Sequence, residues 1–145
     1  MWMNNAKMKR DHKQRMLSVS ITSTPTIKCH VVTHYLDDQS EPDDSRYVFS
    51  YTITIHNLGR GQAQLLKRHW LITDANGKKL VIDGDGVVGK QPVIQASDDY
   101  TYTSGTIIDT PLGVMQGHYI MEDGDGNSFK VDIAPFRLAV PNIIH

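Results

Sequence analysis

Gly84-Asp85-Gly86-Val87-Val88-Gly89 has the spacing G-x-G-x-x-G. That spacing cradles a pyrophosphate when it follows a strand and opens a helix, whose free amides and positive end then face the phosphate. The helical half of this context is missing. Pro92 comes three residues after Gly89, Val93-Ile94-Gln95 carries no helical period, and Asp83 and Asp85 put negative charge where a phosphate would lie. Gly84, Gly86 and Gly89 therefore read as turn glycines joining two strands. The alternative is a backbone anion nest over Gly84, Asp85, Gly86 and Gly89, which needs no helix.

His30 and His34 have the H-x-x-x-H spacing of zinc proteins, but that spacing serves a metal on a helix. On a strand the two side chains are roughly 13 Å apart, beyond joint reach of one ion with ligand bonds near 2 Å. His69 and His118 have no ligand partner nearby in sequence and read as structural histidines. Asp123-Gly124-Asp125-Gly126-Asn127 begins like a calcium loop and then departs from it. Ser128 stands where that loop requires glycine and Ala134 where it requires a bidentate glutamate, so a hairpin turn is expected. Asp37, Asp38, Glu41, Asp43 and Asp44 read as a solvated acidic loop, with weak binding of a hydrated divalent cation as the alternative. Cys29 lies among β-formers with no activating neighbour and is given no role. No nucleophile elbow, activated cysteine or metal cage is apparent, so the chain is expected not to be an enzyme and to need no cofactor or bound metal.

The elements that position these residues follow from length and pattern. The 145 residues suffice for one core, and with 39% hydrophobic and 21% charged residues the chain is neither disordered by composition nor membrane-like. No apolar run approaches the roughly 20 residues that span a bilayer. A single cysteine and the lack of an apolar secretory signal point to the cytoplasm. The net charge of −1 conceals an asymmetry. Lys7, Lys9, Arg10, Lys13 and Arg15 face one acid, Asp11, within the first 15 residues, which leaves 10 basic and 15 acidic residues for the rest. Residues 1–16 are expected to form a flexible basic extension, and 17–145 one acidic domain. Nucleic acid is an unfavourable ligand for that domain, because phosphate binding depends on many Lys and Arg.

Period two dominates after the extension. In Arg46 to Asn57 the residues Tyr47, Phe49, Tyr51, Ile53 and Ile55 alternate with Ser50, Thr52, Thr54 and His56, which predicts a strand with one buried face. One or two strands are expected over 19–27 and 28–35 around Pro25, with further strands over 63–73, where Leu66, Trp70 and Ile72 share one face, and through Leu80 and Ile82 after an Asn76-Gly77 tight turn. Asp98 to Ile108, Gln116 to Glu122 and Ser128 to Ile133 complete the set. No segment sustains a 3.6-residue period. Many short strands joined by turn residues predict an all-β, immunoglobulin or fibronectin type III-like antiparallel β-sandwich. Trp70 falls where such folds bury a tryptophan. Tyr119, two positions before a buried residue of the penultimate strand, looks like a tyrosine corner whose hydroxyl ties back to an upstream backbone group.

The blocks Arg46-Tyr47-Val48-Phe49, Asn57-Leu58-Gly59-Arg60, Trp70-Leu71-Ile72-Thr73, Gly84 to Gly89, Tyr102-Thr103-Ser104-Gly105, Thr110-Pro111-Leu112-Gly113, Met115-Gln116-Gly117-His118-Tyr119 and Phe136-Arg137-Leu138-Ala139-Val140-Pro141 fall in one order. In that order the chain resembles the bacterial ApaG family from about Leu17 to His145. The resemblance implies a fibronectin type III-like sandwich, a cytosolic location and an association with cobalt resistance and magnesium efflux. With no membrane span, such an effect on efflux would be indirect. The expectation is therefore a non-catalytic module that binds an unidentified protein partner, with weak homodimerisation. The alternative is a small-ligand sensor that takes a phosphorylated compound or a divalent cation at the Gly84–Gly89 loop.

Overall fold

The computed structural model describes residues 26–142; the expectations for residues 1–16 and for a strand before Pro25 lie outside them. Eight strands follow one another: β1 (Ile27–Tyr35), β2 (Tyr47–Asn57), β3 (Ala63–Asp74), β4 (Lys79–Asp85), β5 (Val93–Ile94), β6 (Asp99–Ile108), β7 (Leu112–Asp123) and β8 (Ser128–Ala139). All pair antiparallel. One sheet has the order β1-β2-β6 and the other β4-β3-β7-β8, with β5 beside the start of β3. The acidic segment between β1 and β2 holds two single 3-10 turns, Asp37–Gln39 and Pro42–Asp44.

The sheets face each other across one core, which makes the all-β sandwich. On β2 the odd residues Phe49, Tyr51, Ile53 and Ile55 are buried. The even residues Thr52 and Thr54 face outward and share hydroxyl hydrogen bonds with Thr103 (2.8 Å) and Thr101 (3.0 Å) of β6, a cross-strand pairing that supports the register.

In β3 the expected phase is wrong for one residue. Leu65 is in the core while Leu66 is half-buried, because a β-bulge between Leu65 and Lys67 inserts Leu66 as an unpaired residue. Beyond the bulge Arg68, Trp70 and Ile72 face the core side. A second bulge interrupts β7 and β8 between Met115 and Gly117 and takes up Pro135 on β8. Proline has no amide to give to a ladder. Both strands therefore continue past the ends that sequence pattern suggested, β7 from Leu112 and β8 to Ala139.

The Asn76-Gly77 turn also differs from expectation. Gly77 takes a positive φ of 83° but Asn76 does not, so this is no two-residue turn with both central residues left-handed. Instead the Asp74 carboxylate accepts the amides of Asn76 and Lys78, both at 2.9 Å, and Gly77 N–H donates to Asp74 C=O. The β7–β8 turn repeats the device: the Asp123 carboxylate accepts the amides of Asp125 and Asn127 at 2.9 Å, with Gly126 at φ 84°. Those amide donors hold the Asp123 carboxyl below its ordinary range.

Candidate functional site

The glycine motif is the end of β4 folded back on the β3 bulge. Val87 and Lys90 exchange both backbone hydrogen bonds, at 2.8 and 3.0 Å, around Val88 and Gly89, whose φ values are 48° and 77°. This is a two-residue turn of the left-handed kind that suits hairpins. Gly86, at φ 64°, donates its amide to Leu66 C=O (2.8 Å), and a Cβ there would meet Lys90 O at 2.2 Å. The Arg68 guanidinium lies over Gly84 and donates from Nη1 to Asp85 C=O (3.0 Å) and Gly86 C=O (2.9 Å). The amides of Gly86, Val87 and Lys90 are thus bonded to protein carbonyls. The loop also turns two carbonyl oxygens towards its basic neighbour, and this polarity is opposite to that of an anion nest.

Trp70 and Tyr119 sit at the centre of the sandwich, 1% and 0% exposed. Tyr51, Tyr119 and Phe136 stand edge-on to the indole at centroid distances of 5.7, 6.1 and 6.0 Å, the orientation that aromatic quadrupoles favour. Trp70 Nε1 is buried among them without a hydrogen-bond acceptor. Gly117 makes room for this ring, since a Cβ on it would lie 1.9 Å from His69 O and 2.9 Å from the indole. Among the described residues no upstream backbone group is bonded to Tyr119. Its hydroxyl hydrogen-bonds that of Tyr102, on the facing sheet. With β6 directly across the core from β7, a phenol of the facing strand lies within reach of Tyr119. Burial pushes both hydroxyls above the ordinary tyrosine range, and it pushes the Cys29 thiol up to about 11.

The two sheets close differently along their sides. On one side β1 lies against β8. On the other, β4 and β6 flank a cleft of about 100 Å³ lined by Ile72, Leu80, Ile107 and Ile108 and rimmed by Asp74, Lys78 and Asp109. Lys78 and Asp109 bridge its end at 2.9 Å. β4 is an edge strand with no fully buried residue. Leu80, Val81 and Ile107 are 46%, 54% and 44% exposed.

An ApaG domain model matches residues 37–123. The chain belongs to the ApaG family. It is similar to protein ApaG of Photobacterium profundum, 68% identical over 127 residues that cover 88% of this chain and all of the relative. It is also similar to protein ApaG of Vibrio cholerae, 58% identical over 123 residues, which are 85% of this chain and 98% of the relative. An X-ray structure from the Northeast Structural Genomics Consortium superposes with a TM-score of 0.78 at 52% identity, over 82% of this chain and 90% of that one. The crystal structure of the ApaA protein of Bordetella pertussis superposes with a TM-score of 0.81 at 38% identity, over 84% and 99%.

Within this ApaG domain the structure gathers residues that sequence spacing kept apart. His69 of β3 is the register partner of Asp83 on β4 and of His118 on β7, and His118 is the partner of Asp132 on β8. The four side chains form one row across the outer face of the five-stranded sheet. Separations of 14 and 49 positions hide such a row, because cross-strand register is set by turns and bulges. By contrast, His30 and His34 both lie on β1 and stay apart as the strand spacing requires.

Proposed function

We propose that this ApaG domain is a non-catalytic binding module of the cytoplasm whose protein partner pairs, as an extended strand, with the open edge of β4. The observation that carries this reading is that edge. An edge strand presents unpaired backbone N–H and C=O groups to an incoming chain, and here it borders a cleft with exposed Leu80 and Ile107 at its mouth. The cleft has room for one aliphatic side chain. Burying such a side chain contributes about 1.5–3 kcal/mol, and the strand hydrogen bonds add orientation.

Charge selects the partner. β4 carries Lys79 at one end and Asp83 and Asp85 at the other. An antiparallel partner strand therefore fits best with a basic residue near its start and an acidic one near its end. β4 itself has that order. Two copies paired antiparallel about Ile82 set Lys79 of each opposite Asp85 of the other, so weak homodimerisation competes with the partner for the same edge. Support for a non-catalytic role comes from Cys29, Tyr102 and Tyr119, whose thiol and hydroxyls burial holds protonated at neutral pH. Any influence on cation efflux would then run through the partner.

Leu80→Arg and Ile107→Arg test this. Both should abolish capture of proteins that the unaltered chain retains from its own cell extract, while the melts stay within about 0.5 kcal/mol, as for ordinary surface changes. Equal capture by the unaltered chain and both variants would overturn the reading.

A further inference from the structure

We propose that His69 and His118 together form a two-imidazole site for a divalent transition ion of the Cu2+, Ni2+ or Zn2+ type, on the outer face of the five-stranded sheet. The two rings are stacked with centroids 4.8 Å apart and planes 19° from parallel. Asp83 Oδ1 lies 2.6 Å from His69 Nδ1. With this carboxylate engaging Nδ1, Nε2 is the nitrogen left to face an ion. Metal-binding histidines use this carboxylate–imidazole arrangement to fix their tautomer and raise their basicity.

His118 is prepared in a different way. Its flank carries Asp132, which is bridged by Lys130 at 3.5 Å. His118 is the direct register partner of His69 on the neighbouring strand, so the two rings share one side of the sheet. Ligand bonds of about 2.0–2.1 Å put two imidazole nitrogens roughly 3 Å apart around one ion. Neighbouring rings 4.8 Å between centres reach that separation by tilting towards each other, and the His69 side chain is open to solvent at 35%.

The donor set decides the ion. Two nitrogens favour Cu2+, then Ni2+ and Zn2+, whereas Mg2+ and Ca2+ require oxygen cages. Among the described residues no group of three or more His, Cys, Asp or Glu side chains converges on a metal position. Water therefore completes the coordination, and the affinity is that of a chelating imidazole pair, in the micromolar range. His56 does not compete, being buried against Asp99.

Calorimetric titration of the full chain with CuCl2, NiCl2 and ZnCl2, with MgCl2 as the hard-ion control, tests the proposal. One equivalent should bind in the micromolar range with Cu2+ tightest, and Mg2+ should give no heat of binding. His69→Gln and His118→Gln should each weaken Ni2+ at least tenfold. Asp83→Asn, which keeps both ligands, should weaken it about tenfold through the lost orienting bond. Affinity should also fall as pH drops through the imidazole range, because protons compete for the same lone pairs. The proposal is overturned if no ion saturates, if Mg2+ binds equally, or if the His69→Gln/His118→Gln double variant retains the original affinity through histidines elsewhere in the chain.

Discussion

Replacing Tyr119 by phenylalanine removes one hydroxyl from a pair that joins the two sheets through the middle of the core. Tyr119 is 0% exposed and Tyr102 8%, and each hydroxyl is the other's hydrogen-bond partner. The variant leaves the Tyr102 hydroxyl buried with its partner gone, which costs about 1–3 kcal/mol. Tyr102→Phe should cost nearer the upper end, since the Tyr119 hydroxyl it orphans is fully enclosed, whereas Tyr102 lies closer to the surface. Removing both hydroxyls leaves two rings of the same shape and nothing unsatisfied, so the double variant should be less destabilised than the sum by about 1 kcal/mol or more. Urea melts followed by far-ultraviolet circular dichroism resolve this. With a slope of about 1–3 kcal/mol per molar for a small domain, the single changes move the midpoint by roughly 1 M. Strict additivity in the cycle would mean that the hydroxyls do not bond each other, and would restore a tyrosine corner tied to backbone.

Trp70→Ala should cost about 3–5 kcal/mol, a large share of a domain's stability, because the indole is fully enclosed; an unchanged denaturation midpoint would contradict its placement. Val88→Asn should stabilise by about 1 kcal/mol. A β-branched residue held at φ 48° pays a left-handed cost that asparagine before glycine avoids, and a melt no higher than the original would refute the turn geometry. Acidification from pH 7 to pH 5 should destabilise the domain through His118. Its folded pKa lies below the unfolded value, so the unfolded chain binds the proton first, and stability is lost as pH falls through the ordinary imidazole range. His118→Gln should flatten that part of the pH profile, and a profile identical to the original would count against the shift.

Fold class was readable because burial of one sheet face imposes period two, and β2 displays it residue by residue. The ends of strands were less so. Leu66 reads as a core residue by parity, yet one inserted residue reverses the phase, and nothing in Ala63-Gln64-Leu65-Leu66 announces which leucine is unpaired. Pro135 reads as a strand terminator, but a bulge opposite Gln116 absorbs it. The glycine spacing was visible while its meaning depended on Arg68, 16 positions before Gly84, whose guanidinium occupies the loop's carbonyls. Trp70 was placed by its position in a strand, whereas the hydroxyl partner of Tyr119 depended on which strand faces β7 across the core. The β4 edge and the His69–His118 row depend on strand order and register, both of which arise from long-range pairing.

Photo-crosslinking inside cells gives the most direct test of the binding edge. A photoreactive residue is placed at Val81 on β4, at Ile107 on β6, or at Lys28 on the far edge strand β1, all three exposed. The β4 account expects one and the same protein to be captured from positions 81 and 107 and not from 28, with capture lost when Leu80→Arg is added. Capture from position 28 equal to that from 81, or capture from 81 that survives Leu80→Arg, would contradict it.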